Sequence, residues 1–295
     1  MSQRISFHDQ IARNKRKSFF LVVIIFAVFL LLGYVIGMVY QDSFWFILII
    51  ATVASIIYVL VGYNGSDKIA LASVNAKKAS QTEYRQFHHL VEGLCLASGM
   101  PKPKLYIMEN PQINAFATGK DPEHSVICLT TGALEKLEKR ELEGVIGHEL
   151  SHIANYDIKF MTLVAVLVGM IAIISQIFLR SLWFSGGRRN KSGAIILVIG
   201  IVLAILAPIF VWLVQMAISR KREYSADASA VKFIRTPTGL IRALKKIGKE
   251  NTPSKENKKI SKTMAPLFIS NPFTNKNITS THPPLDKRIQ ALEKM

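Results

Sequence analysis

Two histidines separated by three residues, with a glutamate directly after the first, form the stretch of this chain best suited to chemistry. His148, Glu149 and His152 lie in the run HELSH. Residues i and i+4 of a helix share one face, so both imidazoles can bind one metal ion, at about 2 Å for zinc. Glu149 can then reach a metal-bound water and act as general base. The run predicts a catalytic centre with one Zn²⁺ per chain, against the alternative of a surface helix with two solvated histidines.

A catalytic zinc ion needs a third protein ligand and an open position, and the best candidate ligand is a later carboxylate. Glu223 opens the run EYSAD, which ends at Asp227 one helical turn further on. We expect Glu223 to bind the metal and Asp227 to accept a hydrogen bond from a ligand histidine, which fixes the tautomer of that ring. The alternative is a solvated acid pair beside Arg220 and Arg222. Nitrogen and oxygen ligands favour zinc but leave another divalent metal open.

The composition favours a membrane protein. Of the 295 residues, 50% are hydrophobic, and 37 basic against 20 acidic side chains give a formal net charge of +17. Because the basic residues flank long apolar segments and no nucleic-acid motif is present, anionic lipid is the expected partner rather than nucleic acid. The two cysteines, Cys95 and Cys128, lack CxxC spacing, which indicates a reducing compartment and no disulfide framework.

Four apolar stretches, at residues 19–40, 44–63, 160–179 and 194–218, lack acidic and basic side chains. Roughly 20 apolar residues suffice to span a bilayer, so each stretch is long enough. Basic residues before the first stretch and after the fourth predict that the N-terminus and both polar blocks face the cytoplasm. Arg188, Arg189 and Lys191 lie in the loop that this topology assigns to the outside. Whether the last two stretches cross fully therefore stays open.

The stretches divide the chain into four regions. These are an N-terminal transmembrane hairpin (1–63), a cytoplasmic catalytic block with the HExxH helix (64–159), a second hydrophobic helix pair (160–218) and a cytoplasmic block with the third zinc ligand (219–295). Within the blocks, hydrophobic spacing predicts helices over 82–98 and 140–154. It also predicts strands at 104–108, 113–118 and 126–130, and the polar run 249–262 is expected to be a loop.

These motifs, in this order, resemble the HtpX heat-shock proteases of peptidase family M48 (M48B), a family that also includes the CAAX prenyl protease. The resemblance covers nearly the whole chain: the N-terminal hydrophobic hairpin, the run NAFATG at residues 114–119, the zinc helix 141–157, the EYSAD run, and an HPP motif at His282 followed by Arg288. It implies a mainly α membrane protein. Four hydrophobic helices would accompany a cytoplasmic zincin-like metallopeptidase domain with a small β-sheet.

The resemblance also implies roles that spacing does not show. Asn114, Ala115 and Phe116 would belong to a strand at the rim of the active site, where an exposed edge can pair with an extended substrate by backbone hydrogen bonds. His282 would stabilise the oxyanion of the tetrahedral intermediate, with Arg288 as a support beside it. The alternative for His282 is a turn histidine before two prolines.

The function that follows is a membrane-bound zinc metalloendopeptidase (EC 3.4.24.-). It would cleave misfolded or damaged membrane proteins, or unfolded polypeptides, as part of stress-related quality control. We expect a multi-pass protein of the bacterial inner membrane with its active site facing the cytoplasm. One alternative is a prenyl-CAAX-type processing peptidase, although that branch is larger and has more spans. A transporter usually needs ionisable groups within its spans, whereas a non-catalytic metal-binding membrane sensor would not need Glu149. The sequence does not indicate the oligomeric state.

Overall fold

The computed structural model describes residues 7–39, 41–169, 220–250, 264, 267–270 and 283–295. In these ranges the chain forms a helical hairpin, a four-stranded sheet and further helices around the sheet. In chain order the elements are α1 (Phe7–Val39), α2 (Phe44–Ser73), β1 (Lys77–Lys78), α3 (Arg85–Ser98), β2 (Lys104–Met108), β3 (Ala115–Gly119), β4 (Ser125–Thr130), α4 (Thr131–Lys136), α5 (Lys139–Ala154), α6 (residues 157–169), α7 (Arg220–Ile234), α8 (Thr238–Glu250) and α9 (Leu285–Leu292).

The N-terminal hairpin consists of α1 and α2, joined by a short 3₁₀ turn at Gln41–Ser43. Within the described residues, α2 is the one helix found long and apolar enough to cross a membrane, and its large side chains such as Trp45 and Phe46 are exposed. The helix continues ten residues beyond the predicted stretch 44–63. Its last turns remain helical because Ala70 and Leu71 are buried against the sheet in a cluster that includes Phe116.

The third apolar stretch begins inside the protein. Residues 160–169 belong to α6, where Phe160, Leu163 and Leu167 are buried against Leu21 of α1 and Tyr58 of α2. The rest of this stretch and the whole fourth stretch lie outside the described residues. Four hydrophobic helices therefore remain a prediction, and so does the division of the chain into four regions.

The sheet has the strand order β1-β2-β4-β3. The strands β2 and β4 are parallel, and both outer pairs are antiparallel. All three predicted strands are confirmed, β2 with the predicted bounds, whereas β3 begins two residues later than expected. The strand β1 was not predicted because its two residues, Lys77 and Lys78, are exposed lysines without an apolar pattern. The predicted loop at 249–262 lies almost entirely outside the described residues.

The helix that carries HELSH is the centre of the fold, and the helix predicted at 140–154 is confirmed. The zinc helix expected over 141–157 ends at Ala154, and a turn at residues 155–156 separates it from Asp157. Helix α5 packs between the sheet and the helices α7 and α8, and it buries Leu142, Ile146 and Leu150. Gly144 permits the close approach of α8, since a Cβ on this residue would lie 2.5 Å from the backbone nitrogen of Leu240. The helix is therefore internal, and the alternative of a surface helix with solvated histidines is wrong.

Candidate metal centre

His148 and His152 from α5 and Glu223 from α7 present one ligand atom each within 4.8 Å of one another. The two Nε2 atoms are 3.2 Å apart. The carboxylate oxygens of Glu223 lie 3.7 Å from Nε2 of His148 and 3.6 Å from Nε2 of His152. Ligands at about 2.0–2.1 Å from one tetrahedral ion are separated by about 3.3–3.4 Å, so these three residues fit a zinc ion.

Glu149 supplies the second observation that fits a metal-dependent reaction. Its carboxylate is buried, and neither oxygen has a hydrogen-bond partner among the described residues. Burial raises the pKa of Glu149, while the nearby histidines act in the opposite direction. A buried carboxylate without a partner is unfavourable unless a hydrogen-bond donor, such as water, or a cation lies beside it. A raised pKa suits a group that takes and returns a proton near neutral pH.

Asp227 lies behind the first histidine. Its Oδ1 is 3.0 Å from Nδ1 of His148, the contact expected of an acceptor that orients this ring. The fully buried Arg288 donates to both oxygens of Asp227, from Nη2 at 2.6 Å and from Nε at 2.8 Å. Nη1 of Arg288 also lies 3.4 Å from Glu223. Arg288 therefore connects Glu223, the third candidate ligand, to Asp227, the carboxylate that contacts His148.

The charged neighbours Arg288 and Glu223 shift the pKa values of Asp227 and His148. Burial alone would raise the pKa of Asp227, but the charge of Arg288 and the hydrogen bonds from His148 and Arg288 hold it below its usual value. Burial and Arg288 act to lower the pKa of His148, whereas the neighbouring carboxylates of Asp227 and Glu223 raise it to about 9. Since a proton and a metal compete for the same ring nitrogen, metal binding here requires the loss of that proton.

The second histidine has a carboxylate partner that the sequence analysis did not assign. Nδ1 of His152 lies 3.2 Å from Oδ2 of Asp157. The other oxygen of Asp157 accepts hydrogen bonds from Nε of Arg222 at 2.8 Å and from Nδ2 of Asn14 at 2.8 Å. An aspartate five residues after a candidate ligand histidine is a sequence signal for such a partner. No local sequence pattern identifies Arg222 or Asn14 as the residues that hold Asp157.

The predicted substrate strand lies beside the metal helix but is not exposed. Asn114, Ala115 and Phe116 are all buried, and the outer edge of β3 is paired with the chain itself. The backbone nitrogen of Ile269 donates to the carbonyl of Ala115 at 3.0 Å, and Phe116 forms an antiparallel bridge with Phe268. The expectation of an open edge is wrong at these positions, because the backbone of Phe268 and Ile269 already pairs with Phe116 and Ala115. The rings of Phe116 and Phe268 also pack together, with centroids 5.2 Å apart.

The same segment reaches the metal centre through Arg288, whose Nη1 donates to the carbonyl of Ile269 at 3.3 Å. Arg288 was predicted to support His282 beside the oxyanion. The structure places Arg288 against Asp227, Glu223, His148 and this carbonyl. His282 lies outside the described residues, so its role stays a prediction.

Comparison with known proteins gives consistent results. The model of peptidase family M48 matches residues 81–295. The chain is 42% identical to the Protease HtpX homolog of Caldanaerobacter subterraneus subsp. tengcongensis and 43% identical to that of Thermoanaerobacter pseudethanolicus, with 100% of this chain and 99% of each relative covered. The crystal structure of S. mikatae Ste24p aligns with a TM-score of 0.48 at 20% identity over 96% of this chain and 66% of that chain.

Proposed function

The chain belongs to the HtpX proteases of peptidase family M48, and from this premise we propose that it is a membrane-bound zinc endopeptidase. Its substrates are misfolded or damaged membrane proteins, cleaved on the cytoplasmic side of a bacterial inner membrane. One observation carries the proposal. The buried Glu149 carboxylate, which has no hydrogen-bond partner among the described residues, lies in α5 between the two histidines that converge with Glu223.

His148, His152 and Glu223 would hold the zinc ion. When bound, zinc supplies a Lewis acid that polarises the scissile carbonyl and acidifies water. Glu149 removes the proton from the attacking water and delivers it to the leaving amine, a role that its raised pKa favours. Asp227 and Asp157 orient the two imidazoles from behind. The family resemblance assigns the stabilisation of the oxyanion to His282.

Substrate binding along β3 is part of the same proposal. A polypeptide that adds to a sheet edge is held by backbone hydrogen bonds and needs no particular sequence, which suits unfolded substrates. Because Ala115 and Phe116 already pair with Ile269 and Phe268, a substrate strand at these positions has to replace those contacts.

Membrane substrates are favoured by the way the hairpin meets the sheet. The last turns of α2, with Ala70 and Leu71, share one apolar cluster with Phe116 of the proposed substrate strand. The catalytic site is thereby fixed close to the end of an apolar helix. The basic residues that flank the apolar stretches support the cytoplasmic orientation.

Glu149→Gln tests the function because it keeps the size of the side chain and removes the base. The assay follows cleavage of an unfolded membrane protein by the full-length chain in detergent, with zinc content measured on the same samples. We expect the variant to retain zinc and to lose at least about 100-fold in rate. Glu143→Gln, on the same helix, is the control and should cleave at the wild-type rate.

Chelation of the metal should abolish cleavage by the wild type, and added zinc should restore it. Cleavage by Glu149→Gln at the wild-type rate would refute the proposed mechanism. Zinc binding without any cleavage by the wild type would favour the metal-binding sensor. Selective cleavage of prenylated C-terminal peptides would favour the CAAX-type peptidase.

A further inference from the structure

Asn14 is a buried amide of α1 that reaches the outer side of the metal centre. Its side chain is 7% exposed. Its Nδ2 donates to Oδ1 of Asp157 at 2.8 Å and lies 3.2 Å from the carbonyl oxygen of Asn155, two contacts that span 143 and 141 residues of sequence. The N-terminal helix is thus hydrogen-bonded to the segment that follows α5, directly behind a candidate metal ligand.

The contact continues to the metal site through one carboxylate. Asp157 uses Oδ1 to accept from Asn14 and from Arg222, and its Oδ2 lies 3.2 Å from Nδ1 of His152. The orientation of a ligand imidazole depends on the acceptor at its other nitrogen, and that acceptor must itself be held. Asn14 contacts both this carboxylate and the Asn155 carbonyl, so it also holds the turn between α5 and α6 that places Asp157.

Packing alone does not explain an amide at this position. Burial of an amide is unfavourable unless its hydrogen bonds are satisfied, and an apolar side chain would fill the same space between helices at lower cost. Ser18, one turn later on α1, offers a direct contrast. It is equally buried, but its hydroxyl donates to the Asn14 carbonyl within its own helix at 3.0 Å.

We propose that Asn14 is a positioning residue of the metal centre, which acts through Asp157 on His152. Zinc affinity then depends on the docking of α1 against the catalytic helices. The helix α1, which the sequence predicts to be part of a transmembrane hairpin, then also completes the support of a metal ligand. The proposal rests on the assignment of His152 as a zinc ligand.

Two substitutions of Asn14 separate hydrogen bonding from packing. Asn14→Ala removes the amide, whereas Asn14→Asp keeps its shape and replaces the donor with an acceptor that repels Asp157. The zinc dissociation constant of each full-length variant is measured in detergent by competition with a chromophoric chelator. Since loss of a ligand's partner weakens metal binding by about 10- to 100-fold and Arg222 still holds Asp157, we expect about a 10-fold loss for Asn14→Ala.

Asn14→Asp should weaken zinc binding at least as much, while the control Ser18→Ala should stay within about twofold of the wild type. In a background that carries Asp157→Ala, which removes the carboxylate, Asn14→Ala should have little further effect on zinc affinity, because both changes act through residue 157. The thermal unfolding midpoint of the zinc-free protein is recorded for every variant.

The alternative outcomes are distinct. If both Asn14 variants bind zinc like Ser18→Ala, or if they lower only the unfolding midpoint, the residue is structural and the proposal is wrong. A loss of zinc affinity by Asn14→Ala that adds in full to the loss caused by Asp157→Ala also contradicts the proposal. If the wild type itself binds no zinc at His148, His152 and Glu223, the proposed function fails first.

Discussion

Replacement of Asp227 by Asn tests how the centre is held, since it changes charge and hydrogen bonding without a change in shape. Oδ1 of Asp227 accepts from Nδ1 of His148 and Nη2 of Arg288, and Oδ2 accepts from Nε of Arg288. An amide has only one oxygen. Whichever way it is turned, its NH₂ group faces a donor that was satisfied before.

The size of the effect follows from those contacts. If the amide oxygen takes the Oδ1 position, Arg288 loses the hydrogen bond from its Nε atom. It also loses the negative charge closest to it, and Glu223 at 3.4 Å is then a neighbouring acid. If the amide is turned the other way, His148 loses the acceptor that orients its ring. Loss of such a partner typically weakens metal binding by about 10- to 100-fold, which corresponds to about 1.4–2.8 kcal/mol.

The assay is zinc affinity by chelator competition on the full-length protein in detergent. Asp286→Asn is the matched control, because Asp286 is exposed on α9 two residues before Arg288. We expect the control to bind zinc like the wild type. If Asp227→Asn folds and its zinc dissociation constant stays within about twofold of the wild type, Asp227 does not orient His148 for metal binding.

Three further predictions concern the ligand, the packing and the topology. Loss of a ligand's hydrogen-bond partner weakens metal binding by about 10- to 100-fold, and Glu223→Ala, which removes a ligand itself, should weaken zinc binding by more. Full zinc occupancy of this variant after dialysis would exclude Glu223 as a ligand. Gly144→Ala should destabilise the protein by about 1–3 kcal/mol in denaturant unfolding, because the new Cβ meets the backbone of Leu240 at 2.5 Å. Gly93→Ala, where a Cβ meets nothing within 4 Å, should instead be neutral or stabilising. Cysteines introduced at the N-terminus and at exposed His124 should react from the same side of the membrane, and labelling from opposite sides would overturn the topology.

The sequence identifies the parts of this centre that depend on local spacing. The i, i+4 histidines and the adjacent glutamate need only a helix, and the helical spacing of the apolar residues in α5 specifies one. The four-residue spacing of Glu223 and Asp227 likewise places both on one face of α7. These are properties of single elements, so they can be predicted without knowledge of how the elements pack.

The remaining contacts depend on tertiary packing and have no local signal. Asn14 and Asp157 are 143 residues apart, and an asparagine near the start of a helix has many possible partners. Arg222 follows Lys221 in the basic run after the fourth apolar stretch, which predicts only a cytoplasmic position, yet its guanidinium lies against Asp157. The pairing of Ile269 with Ala115 is similar, because backbone hydrogen bonds carry no sequence signature.

The most direct test of the account is a crystal structure of the zinc-loaded protein with data collected at the zinc absorption edge. We predict one anomalous peak per chain, within about 2.0–2.2 Å of Nε2 of His148, Nε2 of His152 and a carboxylate oxygen of Glu223. Glu149 should lie beside the fourth, open position. A peak at another group of residues, or no peak between these three side chains in fully loaded crystals, would contradict the account.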